Sequence, residues 1–147
     1  MSVVITYEAA SPADLDGLVE LRLAAMHESL ARIGRFDPVR ARERFARSFD
    51  PAHTRHILVD GQRVGFIVVK PQAEGLLLDH FYVSPTHQGR GIGGRALADV
   101  LVDADARHLP VHLGALRESA SNRFYVRHGF QQVGESEWDL FYRRDPP

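Results

Sequence analysis

Apolar residues recur every three or four positions between residues 15 and 33, which is the spacing of one buried face of a helix. Ser11 and Pro12 precede this stretch as an N-cap and a first-turn proline, and Gly34 follows it as a stop. A helix is therefore predicted from the Ser11-Pro12 cap to about Gly34. Its apolar positions are Leu15, Leu18, Val19, Leu23, Met26, Leu30 and Ile33.

Shorter patterns flank this helix on both sides. Val3 to Tyr7 has the pattern of a short strand. Asp37-Pro38 begins a second predicted helix, whose apolar side carries Val39, Phe45 and Phe49 before Asp50-Pro51 ends it.

The pattern changes to that of strands from His56 onward. The run HILVD, the hairpin signal Asp60-Gly61 and the run RVGFIVVK come first, followed by a predicted break from Pro71 to Gly75 and by LLLDHFYV. Three consecutive strands are predicted, and the short connections between them favour antiparallel pairing.

A crossover unit follows the third of these strands. Ile92 to about His108 has helical spacing, and Pro110 opens the next strand, VHLGAL. Because the chain crosses back over a helix, this strand is predicted to lie parallel to the preceding one, so that residues 76 to 115 form a βαβ unit. A short helix capped by Ser119 or Ser121 and ended by Gly129 comes next.

Two final strands, FQQVGE and WDLFYRR, complete the order β-α-α-β-β-β-α-β-α-β-β. This order predicts an α/β (α+β) fold with a mixed, mostly antiparallel central sheet flanked by helices. A chain of 147 residues has the size of one domain, so a single domain over 1-147 is expected.

The composition of the chain argues against several classes of function. A net charge of −1 offers no basic surface for nucleic acid, and the absence of cysteine excludes a thiolate nucleophile. The eight histidines have no convincing zinc spacing, so no metal site is expected. No stretch approaches the about 18 apolar residues of a membrane span, and no leader pattern opens the chain. We therefore expect no membrane partner and a cytoplasmic location.

The segment HQGRGIGGRAL, residues 87 to 97, contains Gly89, Gly91, Gly93 and Gly94 between a strand and a helix. Backbone N–H groups in such a loop and at a helix N-terminus attract phosphate, and Arg90 and Arg95 can add charge-assisted bonds. The spacing also matches a dinucleotide fingerprint, but that loop belongs directly after a strand near the start of a parallel fold. A Walker loop is excluded because Arg95-Ala96 replaces its Lys and Ser/Thr.

Two motifs together carry a resemblance to a known family. Gln88-x-x-Gly91-x-Gly93 resembles the acetyl-CoA signature of the GNAT superfamily of N-acetyltransferases, and Phe124-Tyr125 followed by Gly129-Phe130 resembles that family's second motif. The resemblance implies acetyl-CoA as co-substrate. It assigns cofactor contacts to the backbone of Phe81, Tyr82 and Val83, to Gln88, Gly89, Arg90, Gly91, Ile92, Gly93, Gly94 and Arg95, and to Asn122 and Tyr125.

Acetyl transfer to an amine needs an oxyanion site, an acid for the departing thiolate and a base for the amine proton. The resemblance makes Tyr125 the candidate acid. Asp79 and His80 are the candidate bases, and since neighbours on a strand point to opposite faces, at most one of them faces the acetyl group. Two departures from the family stand out: Leu77 replaces a glutamate that some relatives use, and Glu118 stands where many relatives carry an asparagine.

The sequence thus predicts an acetyl-CoA-dependent N-acetyltransferase acting on a primary amine of a small molecule by direct attack, with an amino acid or related amine as one candidate. The acceptor is expected to meet residues 26 to 37 together with the last strands. Glu28, Arg32, Arg35 and Asp37 can orient a charged substrate there, and Phe36 and Trp138 can form walls. A homodimer is expected by analogy with the family. The alternatives are a degenerate acyl-CoA-binding sensor and, disfavoured by the loop context, a nicotinamide-dependent oxidoreductase.

Overall fold

A computed structural model of the chain describes residues 3–147, and it follows the predicted order of elements without an insertion or a loss. The strands and helices are β1 (Ile5–Ala9), α1 (Leu15–Arg32), α2 (Pro38–Ser48), β2 (Thr54–Val59), β3 (Gln62–Gln72), β4 (Gly75–Val83), α3 (Ile92–Ala106), β5 (Val111–Leu116), α4 (Ser121–Arg127), β6 (Gln131–Glu135) and β7 (Asp139–Arg144). Short 3-10 turns occupy Pro12–Asp14, Pro51–His53 and Pro85–His87.

The strands form one seven-stranded sheet in the order β1-β2-β3-β4-β5-β7-β6. The pairs β1–β2, β2–β3, β5–β7 and β6–β7 are antiparallel, whereas β4 and β5 are parallel with Leu76 opposite Val111 and Leu77 opposite His112. The predicted mixed sheet and the predicted βαβ crossover are therefore confirmed. Among residues 3–147, no helix has both the length and the apolar character needed to cross a bilayer.

Contacts divide the chain into two compact units. The first contains the described residues up to Val68 together with His80–Leu97, and the second contains Val69–Asp79 and Ala98–Pro147. Strands β3 and β4 contribute residues to both units. That residues 1-147 act as one domain stays a prediction.

The core of the first unit forms where α1 and α2 bury their apolar faces. Leu18 and Val19 of α1 and Phe45 of α2 are buried and pack in one cluster with Phe66 and Val68 of β3. Asp37 begins α2 as predicted, since its carboxylate accepts a hydrogen bond from the Arg40 N–H at 3.1 Å.

The core of the second unit is built on the inner face of β5 and on α4. Val111 and Leu113 of β5 are buried, and so are Tyr125, Phe130 and Tyr142. The rings of Tyr125 and Phe130 meet edge to face with centroids 5.6 Å apart, and the Phe130 N–H donates to the Tyr125 carbonyl. These two contacts between Tyr125 and Phe130 hold the end of α4 in place, and the Tyr125 ring faces Tyr142 of β7.

Local details depart from the prediction at three places. β1 begins at Ile5 and runs to Ala9, because its pairing with β2 extends to Ala9 opposite Arg55. β3 passes through Pro71, which lies beyond the last β2–β3 pair, Thr54 with Val68, so its missing N–H takes nothing from that ladder. The predicted serine cap of α4 is wrong.

Ala120 occupies the N-cap position of α4, and Ser121 is the first helical residue. The hydroxyls of Ser119 and Ser121 contact each other at 2.6 Å. The side chain that closes this turn belongs instead to Asn122, whose Nδ2 donates to the Ser119 carbonyl at 3.0 Å.

Candidate active site

The loop between β4 and α3 contains most of the predicted cofactor contacts. The Gln88 side chain anchors it to the end of β4, because Nε2 donates to the Val83 carbonyl at 3.0 Å. Gly89 and Gly91 have φ values of +77° and +80°, a region that residues with a β-carbon rarely adopt. The space around both α-carbons is open, so backbone conformation alone explains why glycine stands at these two positions.

Helix α3 starts directly after these two glycines. Ile92 is its first residue and is 2% exposed, so it anchors the helix start in the core, while Gly93 and Gly94 lie in the first turn. The Arg95 N–H donates to the Gly91 carbonyl at 3.1 Å. The N–H groups of the first turn of a helix have no acceptor within the helix. They carry the positive end of the helix dipole.

Arg90 and Arg95 have exposed side chains on either side of this helix start. One short segment therefore contains two guanidinium groups, two left-handed glycines and the N-terminus of a 15-residue helix. This combination suits a phosphate or pyrophosphate, whose charge is delocalised over several oxygens.

Phe81, Tyr82 and Val83 lie on the last part of β4 and are half-buried. The parallel pairing with β5 covers Leu76 and Leu77, at the other end of the strand. On the β3 side, the Ser84 N–H donates to the Val64 carbonyl at 2.7 Å, so that pairing extends beyond the end of β4.

His80 is joined to Tyr82 on one face of β4. Its Nδ1 lies 3.2 Å from the Tyr82 hydroxyl, and its ring packs on Phe45 of α2 with centroids 5.0 Å apart. The Tyr82 hydroxyl also accepts a hydrogen bond from Nε of Arg22 at 3.2 Å. His80 is thus part of a polar chain that runs from α1 to β4.

Asp79, the other candidate base, faces a cation. Its carboxylate is 3.2 Å from Nζ of Lys70, and the two side chains are 28% and 24% exposed. Asp79 is therefore already held in an ion pair with Lys70.

Tyr125, the candidate acid, lies on α4 and is 7% exposed. Its ring contacts those of Phe124, Phe130 and Tyr142, with centroids 5.4 Å, 5.6 Å and 6.4 Å away. Three aromatic contacts fix the ring plane and hence the direction of the hydroxyl.

Asn122 has its side chain engaged within the protein. Nδ2 donates to the carbonyls of Leu116 at 2.9 Å and Ser119 at 3.0 Å, and Oδ1 accepts from the Tyr142 hydroxyl at 2.8 Å. These bonds join the end of β5, the start of α4 and strand β7.

The predicted site residues fall in both compact units. His80, the backbone segment 81–83 and the glycine loop belong to the first unit, whereas Asp79, Asn122 and Tyr125 belong to the second. Within the described part of the chain, no group of three or more histidines and carboxylates is arranged to hold a metal ion.

In the predicted acceptor segment, residues 26 to 37, some of the charged side chains are already engaged by other groups of the protein. Glu28 and Arg32 pair with each other at 3.1 Å, and Asp37 caps α2. The half-buried Arg22 was missed by the sequence interpretation, although the signal was present: it lies four residues after Leu18 and three after Val19, on the apolar face of the helix.

The chain is similar to a known protein family. A family model described as an acetyltransferase (GNAT) domain matches residues 52–132. No curated protein sequence gives a significant match.

Solved structures provide full-length similarities. The protein PH1933 from Pyrococcus horikoshii OT3 is 20% identical with a TM-score of 0.78, covering 98% of this chain and 99% of that one. A PaiA N-acetyltransferase from Thermoplasma acidophilum, solved in complex with coenzyme A, is 19% identical with a TM-score of 0.74 and 99% coverage of both chains. The ribosomal-protein-S18-alanine N-acetyltransferase of Escherichia coli is 14% identical with a TM-score of 0.74, covering 97% of this chain and 94% of that one.

At these identities the structural similarities show a shared fold. The family model goes further, because it spans more than half of the chain and includes both the glycine loop and the Phe124-Tyr125 motif. The protein therefore belongs to the GNAT acetyltransferase family.

Proposed function

We propose that this protein is an acetyl-CoA-dependent N-acetyltransferase that transfers the acetyl group to a primary amine of a small molecule. The observation that carries the proposal is the left-handed conformation of Gly89 and Gly91 immediately before the N-terminus of α3. Such a loop presents successive N–H groups to an anion, which fits the pyrophosphate of coenzyme A.

In this proposal the backbone from Gly89 to Gly94 binds the pyrophosphate, and Arg90 and Arg95 add charge-assisted bonds. Gln88 keeps the loop in place through its bond to Val83. The family resemblance supports the assignment of the pantetheine arm and the thioester carbonyl to the backbone of Phe81, Tyr82 and Val83. N–H groups aimed at that oxygen would stabilise the oxyanion of the tetrahedral intermediate.

The reaction is then a direct displacement. The amine nitrogen attacks the thioester carbonyl carbon, a C–N bond forms, and collapse of the intermediate breaks the C–S bond. The amine loses one proton to the base, and the coenzyme A thiolate gains one proton from the Tyr125 hydroxyl. The pKa of a phenol, near ~10, is close enough to that of a thiol, near ~8.5, for this transfer to proceed.

His80 is the preferred base in this proposal and Asp79 the second candidate. Histidine is the side chain that most often acts as a general base in enzymes. Asp79 is already engaged in an ion pair with Lys70, so its carboxylate is less available to a substrate amine. Proton uptake by His80 can proceed directly or through water.

The first experiment is thermal unfolding with acetyl-CoA, NAD and ATP. A ligand that binds only the folded state raises the melting temperature by mass action, so a rise with acetyl-CoA alone supports the assignment of the loop. A larger rise with NAD would overturn it.

Release of free thiol from acetyl-CoA then separates the enzyme from the alternative acyl-CoA sensor. The enzyme should release thiol when an amine is added, whereas the sensor should bind acetyl-CoA without turnover. A panel of amino acids, polyamines and short peptides as acceptors tests the proposal that the acceptor is a small molecule.

Two parts of the proposal rest on the family resemblance and composition alone. These are the homodimer, which sedimentation velocity tests, and the cytoplasmic location, which fractionation of the source cells tests.

A further inference from the structure

Arg22 is a charged residue on the apolar face of α1. Leu18 and Val19, one turn before it, are 2% and 7% exposed, and Met26 follows it one turn later. The side chain of Arg22 is half-buried. A guanidinium group held at the edge of an apolar cluster loses hydration, and that loss is compensated only when an anion or several acceptors meet it.

The protein itself supplies one acceptor to this group. Nε of Arg22 donates to the Tyr82 hydroxyl at 3.2 Å, and the guanidinium carbon is 5.9 Å from the centre of the Tyr82 ring. Within residues 3–147, Arg22 makes no ion pair and its Nη atoms have no hydrogen-bond partner. The half-buried Arg117, Arg143 and Arg144, by contrast, each pair with a carboxylate.

The contact with Tyr82 also fixes the direction of the guanidinium. With Nε engaged, the edge formed by Nη1 and Nη2 remains for a ligand, and its parallel N–H donors match the two oxygens of a carboxylate. The side-chain entropy that binding usually costs is already reduced by the bond and the ring contact.

We propose that Arg22 binds a carboxylate of the acceptor, so that the acceptor class is an amine bearing a carboxylate a few bonds away, as in an amino acid. The Tyr82 hydroxyl lies 3.2 Å from both Nε of Arg22 and Nδ1 of His80, so the cation and the candidate base share one contact. A carboxylate held at Arg22 therefore places a nearby amine close to the base. This inference rests on the proposed function and selects the substrate within it.

A binding experiment tests the subsite without catalysis. N-acetyl amino acids, which are the expected products, are titrated into the protein alongside their neutral amides, and the Arg22 Nε–H resonance is followed by NMR. We expect the carboxylates to shift this resonance and the amides to leave it unchanged. Arg22→Met should weaken carboxylate binding at least tenfold, while Arg107→Met, an exposed arginine paired with Asp103, should leave it unchanged.

Equal binding of acids and amides, unchanged binding in Arg22→Met, or no binding of any N-acetyl amino acid would each overturn the inference. Thermal unfolding of each variant verifies folding. Methionine at position 22 extends an apolar face, so the variant is expected to fold.

Kinetics with matched acceptors separates this inference from the proposed function. In the wild type, kcat/KM for amino acids should exceed that for their amides, and Arg22→Met should abolish this preference while Arg22→Lys restores part of it. If thiol release is equal for acids and amides and is unaffected by Arg22→Met, the carboxylate subsite is wrong and the acetyltransferase stands. If acetyl-CoA neither stabilises the protein nor releases thiol with any amine, the proposed function itself is wrong.

An acidic peptide could also supply a carboxylate to Arg22. Peptides with an N-terminal aspartate and an amidated C-terminus are therefore included as acceptors. A higher kcat/KM for free amino acids supports the small-molecule acceptor, and a higher value for such peptides would overturn it.

Discussion

His56 of β2 places its Nε2 atom 3.0 Å from Oδ2 of Asp14, which lies in the turn that leads into α1. Both groups are shielded, with side chains 5% and 16% exposed. The Ser11 N–H donates to the same carboxylate at 2.9 Å, and Arg63 donates to Oδ1 at 3.1 Å. The hydrogen bond from His56, followed by that from Ser11, holds the pKa of Asp14 well below its usual range.

Replacing Asp14 by asparagine should lower the free energy of unfolding by about 1–3 kcal/mol at pH 7, because hydrogen bonds to a charged, shielded group are lost. Since folding depresses the pKa of Asp14, its stabilisation is present above the ordinary value of 3.8 and is lost as the pH falls below it. Urea unfolding at pH 7 and pH 3 should therefore show a smaller difference between wild type and variant at pH 3.

Asp16→Asn is the matched control for this prediction. Its carboxylate is 83% exposed and pairs with Arg42 on the surface, so the expected loss is at most about 1 kcal/mol. A loss in Asp14→Asn that is the same at both pH values would contradict the role of the charge.

Substituting Gly91 by alanine should weaken acetyl-CoA binding and destabilise the fold by roughly 1–2 kcal/mol, because φ is +80° there. Gly17→Ala is the control. Gly17 lies within α1 with open space around it, so alanine should stabilise the helix by about 0.5–1 kcal/mol and leave acetyl-CoA binding unchanged. Isothermal titration with acetyl-CoA and urea unfolding measure both effects, and unchanged binding in Gly91→Ala would count against the loop as the phosphate site.

Tyr125→Phe should reduce kcat by about 10²- to 10⁴-fold and leave the Kd of acetyl-CoA within twofold, because only the proton donor is removed. The phenylalanine ring keeps the contacts with Phe124, Phe130 and Tyr142, so folding should be preserved. Tyr7→Phe, on β1, serves as the control and should retain full kcat. Single-turnover thiol release tests the prediction, and an unchanged rate in Tyr125→Phe would remove the acid role.

The bond between Tyr142 and Asn122 should be measurable as a coupling energy. Tyr142→Phe and Asn122→Ala each remove it, and Asn122→Ala should cost more, about 1–3 kcal/mol, because it also deprives two carbonyls of a donor and leaves the Tyr142 hydroxyl without its partner. Urea unfolding of both single variants and the double variant gives the coupling, which is expected to be about 0.5–1.5 kcal/mol. Additive losses would show that this bond does not stabilise the fold.

Acetyl-CoA titration of Asn122→Ala addresses the other role predicted for this residue. A Kd close to that of the wild type is expected if the asparagine mainly closes the turn between β5 and α4. A large increase in Kd, with the unfolding free energy little changed, would assign it to the cofactor instead.

Much of the fold follows from local pattern. The spacing from Leu15 to Ile33 predicts α1, and Asp60-Gly61 predicts the first hairpin, where φ is indeed +53° and +76°. The crossover through α3 predicts the parallel pairing of β4 with β5. These features depend on residues close together in the chain and on the rule that a strand reached through a crossover helix pairs in parallel, so sequence alone suffices for them.

The ends of elements were predicted less well, because pairing partners decide them. β1 extends to Ala9 since Arg55 lies opposite it, and the α4 turn is closed by Asn122 rather than by a serine cap. In both places a distant strand or a competing side chain outweighs the local preference.

The sequence by itself determined the order of elements, the glycine loop and the family motifs, since each is a matter of residue type at short spacing. Only the tertiary structure decided which polar groups meet: Asp14 with His56, Asp79 with Lys70, and Arg22 with Tyr82. These partners lie far apart in the chain or on neighbouring strands. Their pairing depends on how helices and strands pack, because a hydrogen bond requires two groups within about 3 Å and spacing along the sequence does not encode that distance.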